Sequence, residues 1–423
     1  MDSIGVSFES FCQEMTGGWL FGYIDVLRTV GIRTVVFCIS ARVKKITRYT
    51  HVPTGATICV LPASGIYLRI RRRMVNPHGW TLQDMFGRVQ GIRRWLYAVL
   101  KPLAPYLSTP PMTLAREMRR EGCTVILCQE YEYARFDICV ALGKLLGMPV
   151  FATFQGGDRQ FSRIEGLVRS ITLKHCAGLI VAAQTEIQRI HAKYRELSIT
   201  IAHIFNPIDL SSWATLNRKE TRKALEITDN AQVVVWHGRV DIRRKGLDVL
   251  LNAWKRICEQ RQGRDLLLLL IGTGDDANEL QRRITTMSLQ NVLWVNKYVL
   301  DRAAIRRYLA AADVYVFPSR HEGFPVAPIE AMASGLPVVA ADAPGISDIS
   351  EGGEAAGGIV VPCGDAAALA LALGSALDNP TWCRQLGRYS RQRVVNGFSF
   401  EVVGKQLYAF LSKKKQLPKE FHE

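Results

Sequence analysis

Residues 318–339 read Pro318-Ser319-Arg320-His321-Glu322-Gly323-Phe324-Pro325-Val326-Ala327-Pro328-Ile329-Glu330-Ala331-Met332-Ala333-Ser334-Gly335-Leu336-Pro337-Val338-Val339. An apolar run, Val314–Phe317, leads into this stretch, and Val338–Ala341 closes it. The order is strand, loop, helix, glycine stop, strand, with Pro337 just beyond the stop. Glu322 falls in the loop at the strand's carboxyl end. Glu330 falls in the helix, whose first turn has free N–H groups. Those groups and the helix dipole favour an anion such as a diphosphate. Two carboxylates beside an anion site suit hydrogen bonds from sugar and ribose hydroxyls better than contact with phosphate. The bland alternative, a pair of surface glutamates, would hold for the spacing alone but not for the whole segment.

Working outward, the second half alternates regularly. Val233–Trp236 ends at His237-Gly238, and Leu247, Leu250, Leu251, Trp254 and Ile257 then recur on one helical face. Leu266–Ile271 is a strand closed by Gly272-Thr273-Gly274, and Val292–Val295 is another, followed by a helix around Ile305–Ala311. Alternating strands and helices imply a parallel sheet covered on both faces. The first half keeps this rhythm less cleanly, with strands expected at Ile4–Phe8, Thr34–Ile39, Thr124–Cys128, Pro149–Phe154 and Gly178–Val181. The turn signal Asn206-Pro207-Ile208-Asp209 divides the chain into 1–208 and 209–399, and a late helix from about 400 to 423 would cross back to the first domain. The expected fold class is α/β, two doubly wound domains with a cleft between them, where ligands bind beyond the carboxyl ends of the strands.

A second cluster, His237-Gly238-Arg239-Val240-Asp241-Ile242-Arg243-Arg244-Lys245-Gly246, follows a strand and precedes a helix. A forked guanidinium and an ammonium suit a diphosphate leaving group and offset the charge that develops on it. Taken alone, a solvated basic loop explains these residues equally well. Gly272-Thr273-Gly274 and Thr16-Gly17-Gly18 are glycine loops in which the backbone could approach a phosphate; a plain strand-to-helix turn fits them as well.

The 423 residues suggest two or three domains, and 48% hydrophobic with 22% charged residues is ordinary for a globular chain. No apolar run reaches the ~18 residues of a membrane span. Met1-Asp2-Ser3-Ile4 lacks the basic-then-apolar layout of a signal peptide, so cytoplasmic residence is expected. The ten cysteines are scattered, with no C-x-x-C pair and no zinc spacing, and read as buried reduced thiols. The net charge of +16 fits nucleic acid, an anionic membrane or phosphorylated substrates. No nucleic-acid recognition motif is present, so nucleic acid is not an expected partner. Arg69, Arg71, Arg72, Arg73, Arg88, Arg93, Arg94 and Lys101 cluster in one stretch whose only acid is Asp84, with Trp80, Phe86, Trp95 and Tyr97 interleaved. A basic, aromatic helix over Arg93–Lys101 suits an anionic lipid surface, which would make the protein peripheral on the membrane. A core-facing aromatic side with solvated arginines suits the pattern equally.

Together these motifs resemble the retaining glycosyltransferases of the GT-B fold, family 4 (glycosyl transferases group 1). The likeness is strongest from about Asn206 onward and rests on the Glu322-x7-Glu330 segment and on Gly238-Arg239-Val240 with Lys245-Gly246. The resemblance implies a nucleotide-sugar donor, UDP- or GDP-linked, and a glycan or lipid-linked acceptor held by the first domain. Carried over, Arg239 and Lys245 would hold the donor diphosphate, Glu322 the transferred sugar and Glu330 the ribose. Gly323 and Phe324 would offer backbone N–H groups. Gly272 and Thr273 would line the same edge, and Gly18 would approach from the first domain. The family's first-domain histidine is replaced in Phe154-Gln155-Gly156-Gly157-Asp158. Gln155 is the candidate acceptor or sugar contact there, but it cannot supply an imidazolium. The family's Pro-Glu appears as Pro344-Gly345-Ile346-Ser347-Asp348, with a shorter carboxylate. No Asp-x-Asp occurs and Asp275-Asp276 reads as ordinary helix-start acids, so neither a metal nor a cofactor is expected. The rival readings are an epimerase on the same fold and a non-catalytic module binding glycan or nucleic acid.

Overall fold

The protein is described as a computed structural model covering residues 7–16, 18–76, 81–156 and 163–412. Seven strands lie in the first half of the described chain: β1 Val35–Ser40, β2 Thr47–Thr50, β3 Thr57–Pro62, β4 Ile126–Cys128, β5 Val150–Phe154, β6 Gly178–Val181 and β7 Ile201–His203. They form two sheets, β1-β3-β2 and β4-β5-β6-β7; only β2 runs antiparallel to its neighbour. The expected strand Ile4–Phe8 is corrected. Residues 4–6 lie outside the described residues, and Phe8 opens the helix Phe8–Gln13, whose N-cap Ser7 accepts a hydrogen bond from the Ser10 N–H at 3.0 Å. Strands β2 and β7 were not expected, because β2 exposes three of its four residues and β7 has no buried one, so neither offers an apolar run. Strand β3 does offer one, with four successive buried residues.

The second half forms a single six-stranded sheet of β8 Gln232–His237, β9 Leu266–Ile271, β10 Val292–Val295, β11 Val314–Phe317, β12 Val338–Ala341 and β13 Gly358–Val361. Its order is β10-β9-β8-β11-β12-β13, and every pair is parallel. Side chains alternate across a strand, so Val233, Val235, Leu269 and Ile271 enter one core while Val234, Trp236, Leu268 and Leu270 enter the other. The helix Leu247–Gln260 buries Leu247, Leu250, Leu251, Trp254 and Ile257, the face its periodicity picks out. Burying each such side chain is worth about 1.5–3 kcal/mol.

The order of strands fixes where a ligand can sit. Successive connections run outward from β8 in one direction to β10, then restart at β11 and run the other way. The crevice beyond the carboxyl ends of β8 and β11 is therefore the switch point of this doubly wound sheet. The two chemistry-bearing segments of the sequence follow β8 and β11.

The chain joins its halves twice, side by side: the Ile208 N–H donates to the Phe398 carbonyl at 2.8 Å, and Ile208 bridges Ser399. The helix Phe400–Ser412 then packs on the helix Gly18–Thr29, with Val403, Leu407 and Phe410 in one cluster with Val26, Phe151 and Ile180. Residues 413–423 of the expected tail lie outside the described residues.

In the basic region the helix runs Gly91–Ser108, longer than the expected Arg93–Lys101. Tyr97 is buried and stacks on Phe86 with ring centroids 4.3 Å apart. Trp95 is 68% exposed, and Ile92, Leu96 and Val99 are exposed with it. The apolar side is thus divided between a small core and solvent. Arg69, Arg72, Arg73, Arg88, Arg93 and Arg94 are exposed, Arg71 and Lys101 are partly buried, and Trp80 lies outside the described residues.

Candidate active site

Three loops interlock at the switch point, and their glycines are required by that interlocking. Gly246 has φ +64°, and a Cβ there would lie 1.9 Å from the Pro318 carbonyl oxygen. A Cβ at Gly272 would lie 1.9 Å from the Gly238 oxygen, and one at Gly274 2.2 Å from the Val240 oxygen. The Val240 N–H donates to the Thr273 carbonyl at 3.0 Å. Gly272 and Thr273, expected to line a donor, thus hold the basic loop that follows β8.

That loop ends in a short helix, Ile242–Lys245, capped by Asp241, whose carboxylate accepts the Arg244 N–H at 2.9 Å. Asp276 precedes the helix Ala277–Thr286 but makes no capping bond; it accepts the Ile242 N–H at 2.8 Å and anchors the basic loop. Arg320 ties the same loop to the β11 loop through a forked pair with Asp248, both contacts at 2.7 Å, and a bond to the Arg243 carbonyl at 2.9 Å.

On this frame Lys245 Nζ lies 2.5 Å from Glu322 Oε1, joining the two sequence clusters. Glu322 is buried and Lys245 partly so. Arg239 is exposed and has no partner among the described residues. Glu330 is buried, with one oxygen 2.5 Å from Arg302 Nη2 and the other accepting from His237 Nε2 at 2.8 Å. A carboxylate only accepts, so this His237 nitrogen carries the proton. Burial alone would raise the Glu330 pKa; the Arg302 charge and the His237 hydrogen bond outweigh it and bring it below the ordinary carboxylate value.

Sequence reasoning missed Arg302 and His237. Arg302 opens the helix Arg302–Ala310 behind the cap Asp301, and its guanidinium lies 5.2 Å from the Trp213 ring centroid. No local pattern marks it, since its partner is 28 positions away. His237 opens the second sequence cluster, but nothing in its local pattern assigned it a partner.

Among the described residues, the first domain meets this site at the loop after β5. Gly156, after β5, has φ +103°, and its backbone abuts Gly323; a Cβ on Gly323 would lie 2.2 Å from Gly156 Cα. Gln155, the candidate acceptor or sugar contact, pairs with Asn206 through both ends of its amide, one N–H and one oxygen lone pair being used in that pair. Phe324 is buried and stacks on Phe205, with centroids 5.3 Å apart. Asp348 accepts the Gln184 N–H at 3.1 and 3.2 Å and lies 3.4 Å from His203 Nε2, so this shortened carboxylate ties the two halves together. Gly18 opens the helix Gly18–Thr29, while Gly17, Gly157 and Asp158 lie outside the described residues. Among the described residues no three His, Cys, Asp or Glu side chains group as a metal site, and no helix is long and apolar enough to cross a membrane.

Residues 231–379, which hold β8 through β13, match the family described as glycosyl transferases group 1. The GDP-mannose-dependent monoacylated alpha-(1-6)-phosphatidylinositol monomannoside mannosyltransferase of Corynebacterium glutamicum is 30% identical over 218 residues, 49% of this chain and 55% of that protein. The capsular polysaccharide biosynthesis glycosyltransferase CapM of Staphylococcus aureus is 26% identical over 217 residues, covering 51% and 55%. The chain thus spans about half the length of the curated relatives it matches. Among solved structures, the sucrose-phosphate synthase of Thermosynechococcus elongatus superposes with TM-score 0.67 at 21% identity, over 94% of this chain and 93% of that one. Anabaena HepE in complex with UDP gives 0.68 at 16% identity, over 95% and 98%. Residues 231–379 are therefore similar to the glycosyl transferases group 1 family, and the chain as a whole has the two-domain GT-B fold.

Proposed function

We propose that this protein transfers a sugar from a UDP- or GDP-sugar to a glycan or lipid-linked acceptor, with retention at the anomeric carbon and without a metal. The observation that carries this reading is the convergence of Lys245, Glu322 and Glu330 on the switch point between β8 and β11, with Arg239 on the loop that follows β8. The two cations would bear the diphosphate, replacing the charge a divalent ion would otherwise supply. The acceptor hydroxyl oxygen would bond to the anomeric carbon on the face the diphosphate leaves. The carbon–oxygen bond to phosphate breaks with its electron pair, and the hydroxyl proton passes to a phosphate oxygen. Relatives in glycolipid and capsular pathways fit this acceptor class.

The exposed Ile92, Trp95, Leu96 and Val99, with the exposed arginines around them, support an anionic membrane as the surface on which the acceptor is met. The decisive experiment is a thermal-shift screen of UDP-, GDP- and ADP-sugars, followed by a transfer assay with the stabilising donor. A bound donor raises the melting temperature by mass action. Stabilisation by none of them, or donor hydrolysis and isomerisation without transfer, overturns the proposal.

A further inference from the structure

Gln155 stands where the first domain touches the second, and its backbone N–H and both side-chain polar atoms have protein partners. Its backbone N–H donates to Glu130 Oε2 at 3.1 Å. Its side-chain Nε2 donates to Asn206 Oδ1 at 3.1 Å, and Asn206 Nδ2 donates back to Gln155 Oε1 at 2.9 Å. Asn206 belongs to the segment that leads into the second half, is 1% exposed, and reaches the Phe324 carbonyl at 3.4 Å. The next residue, Gly156, presses on Gly323: a Cβ at Gly156 would lie 2.6 Å from both Cα and N of Gly323. On the other side of Gly323, a Cβ at Gly345 would lie 2.8 Å from the Gly323 oxygen. Three backbones are stacked with no room for a side chain between them.

Glu130 explains why the turn stays in place. It adopts φ +67°, a conformation costly for a residue with a Cβ, and its carboxyl is buried with Oε1 unpartnered. Strain and an unsatisfied oxygen persist only where surrounding structure imposes them; here the return is a fixed Gln155 N–H. The reciprocal amide pair also accounts for glutamine at this position. It needs a donor and an acceptor on one edge, which a carboxamide has and an imidazole, with its nitrogens diverging, does not.

We propose that Gln155 is a positioning residue: its paired contact with Asn206 sets the closed spacing of the Gly156 and Gly323 loops. It does not contact the sugar. This rests on the reading of residues 322–324 as part of the donor site. Closing the cleft brings the donor loop to its working position, so the pair acts on nucleotide binding as a whole and not on the sugar moiety.

The test compares Gln155→Ala, Asn206→Ala, the double alanine variant and the swapped Gln155→Asn/Asn206→Gln protein, with Arg239→Ala as reference. The swap keeps the combined length of the two side chains and restores a reciprocal amide pair. Small-angle scattering without ligand reads the domain spacing, and calorimetry with UDP, GDP and the matching nucleotide-sugar reads binding. Each alanine variant should widen the ligand-free molecule and weaken the nucleotide diphosphate roughly tenfold, with the double variant no worse than either single one. The swapped protein should recover both readouts. Scattering of Gln155→Ala identical to wild type, additive losses, or a loss confined to the nucleotide-sugar would overturn the proposal. If Arg239→Ala leaves nucleotide affinity unchanged, the donor-site reading fails instead, while the ligand-free scattering still decides the role of Gln155.

Discussion

Lys245 Nζ and Glu322 Oε1 lie 2.5 Å apart, although 77 positions separate the two residues in the chain. The pair joins the loop after β8 to the loop after β11, whereas Arg239 has no protein partner among the described residues. The two cations therefore differ in what their loss should do.

Arg239→Ala should leave the melting temperature unchanged and slow transfer by about 100-fold or more, the size of losing one transition-state charge contact. Lys245→Ala should slow transfer similarly and also cost stability, about 1–3 kcal/mol, because the buried Glu322 carboxylate loses its counter-charge. Denaturant titration beside initial-rate kinetics separates the two. Equal melting curves for all three proteins would contradict the ion pair.

Glu330 should bind the nucleoside regardless of the sugar. Glu330→Gln and Arg302→Ala should both weaken free nucleotide diphosphate by calorimetry, whereas Glu322→Gln should act only when the sugar is present. Because Arg302 and His237 hold the Glu330 pKa below normal, the pair stabilises the fold above pH ~4.5 and loses that contribution as pH falls through the folded pKa. Arg302→Ala should remove this acid limb from the stability profile. A profile identical to wild type would count against the contact.

Glu130 predicts the opposite slope. Burial, aided by the charges of Glu132 and Glu186 and opposed by the Gln155 N–H, raises its pKa to about 7. The folded state then holds a proton that the unfolded chain has released, so its contribution is full below about pH 4.5 and lost as pH rises to 7. The loss is on the order of 3 kcal/mol, at 1.36 kcal/mol per unit of pKa difference. Glu130→Gln should flatten stability between pH 5 and 8, read by denaturant midpoints. A slope retained in the variant would assign the titration elsewhere.

Activity should survive excess EDTA, since the cations and backbone dipoles at the switch point would supply the charge that a metal provides in other enzymes. Complete loss, restored by magnesium or manganese, would show that the diphosphate is held differently.

Vesicle sedimentation tests the basic face. Wild type should pellet with anionic but not neutral vesicles at low salt, each basic residue contributing about 1 kcal/mol near the surface. Binding should fall at 1 M salt, where the Debye length is ~3 Å. Arg93→Glu/Arg94→Glu should abolish the electrostatic part, and Trp95→Ala any salt-resistant remainder. Indifference of wild type to anionic vesicles would assign the charge to an acidic soluble acceptor.

What the sequence determined by itself is what short-range chemistry encodes. Four of the second-domain strands, β9 through β12, match their apolar runs end to end; for the buried β9, β11 and β12 this is because a doubly covered strand must be apolar throughout, whereas β10 lies at the sheet edge with no buried residue. The places of Arg239 and Glu322 in the loops after β8 and β11, of Lys245 just before the next helix, and of Glu330 in the helix after β11 were legible because strand–loop–helix punctuation is local. Only the tertiary structure decided which groups meet. The strand order that creates the switch point, the Arg302–Glu330 pair and the Gln155–Asn206 pair, 28 and 51 positions apart, have no local signature. Periodicity reports which face a residue occupies; which distant residue lies opposite is settled when the sheet and the two domains close around a common core.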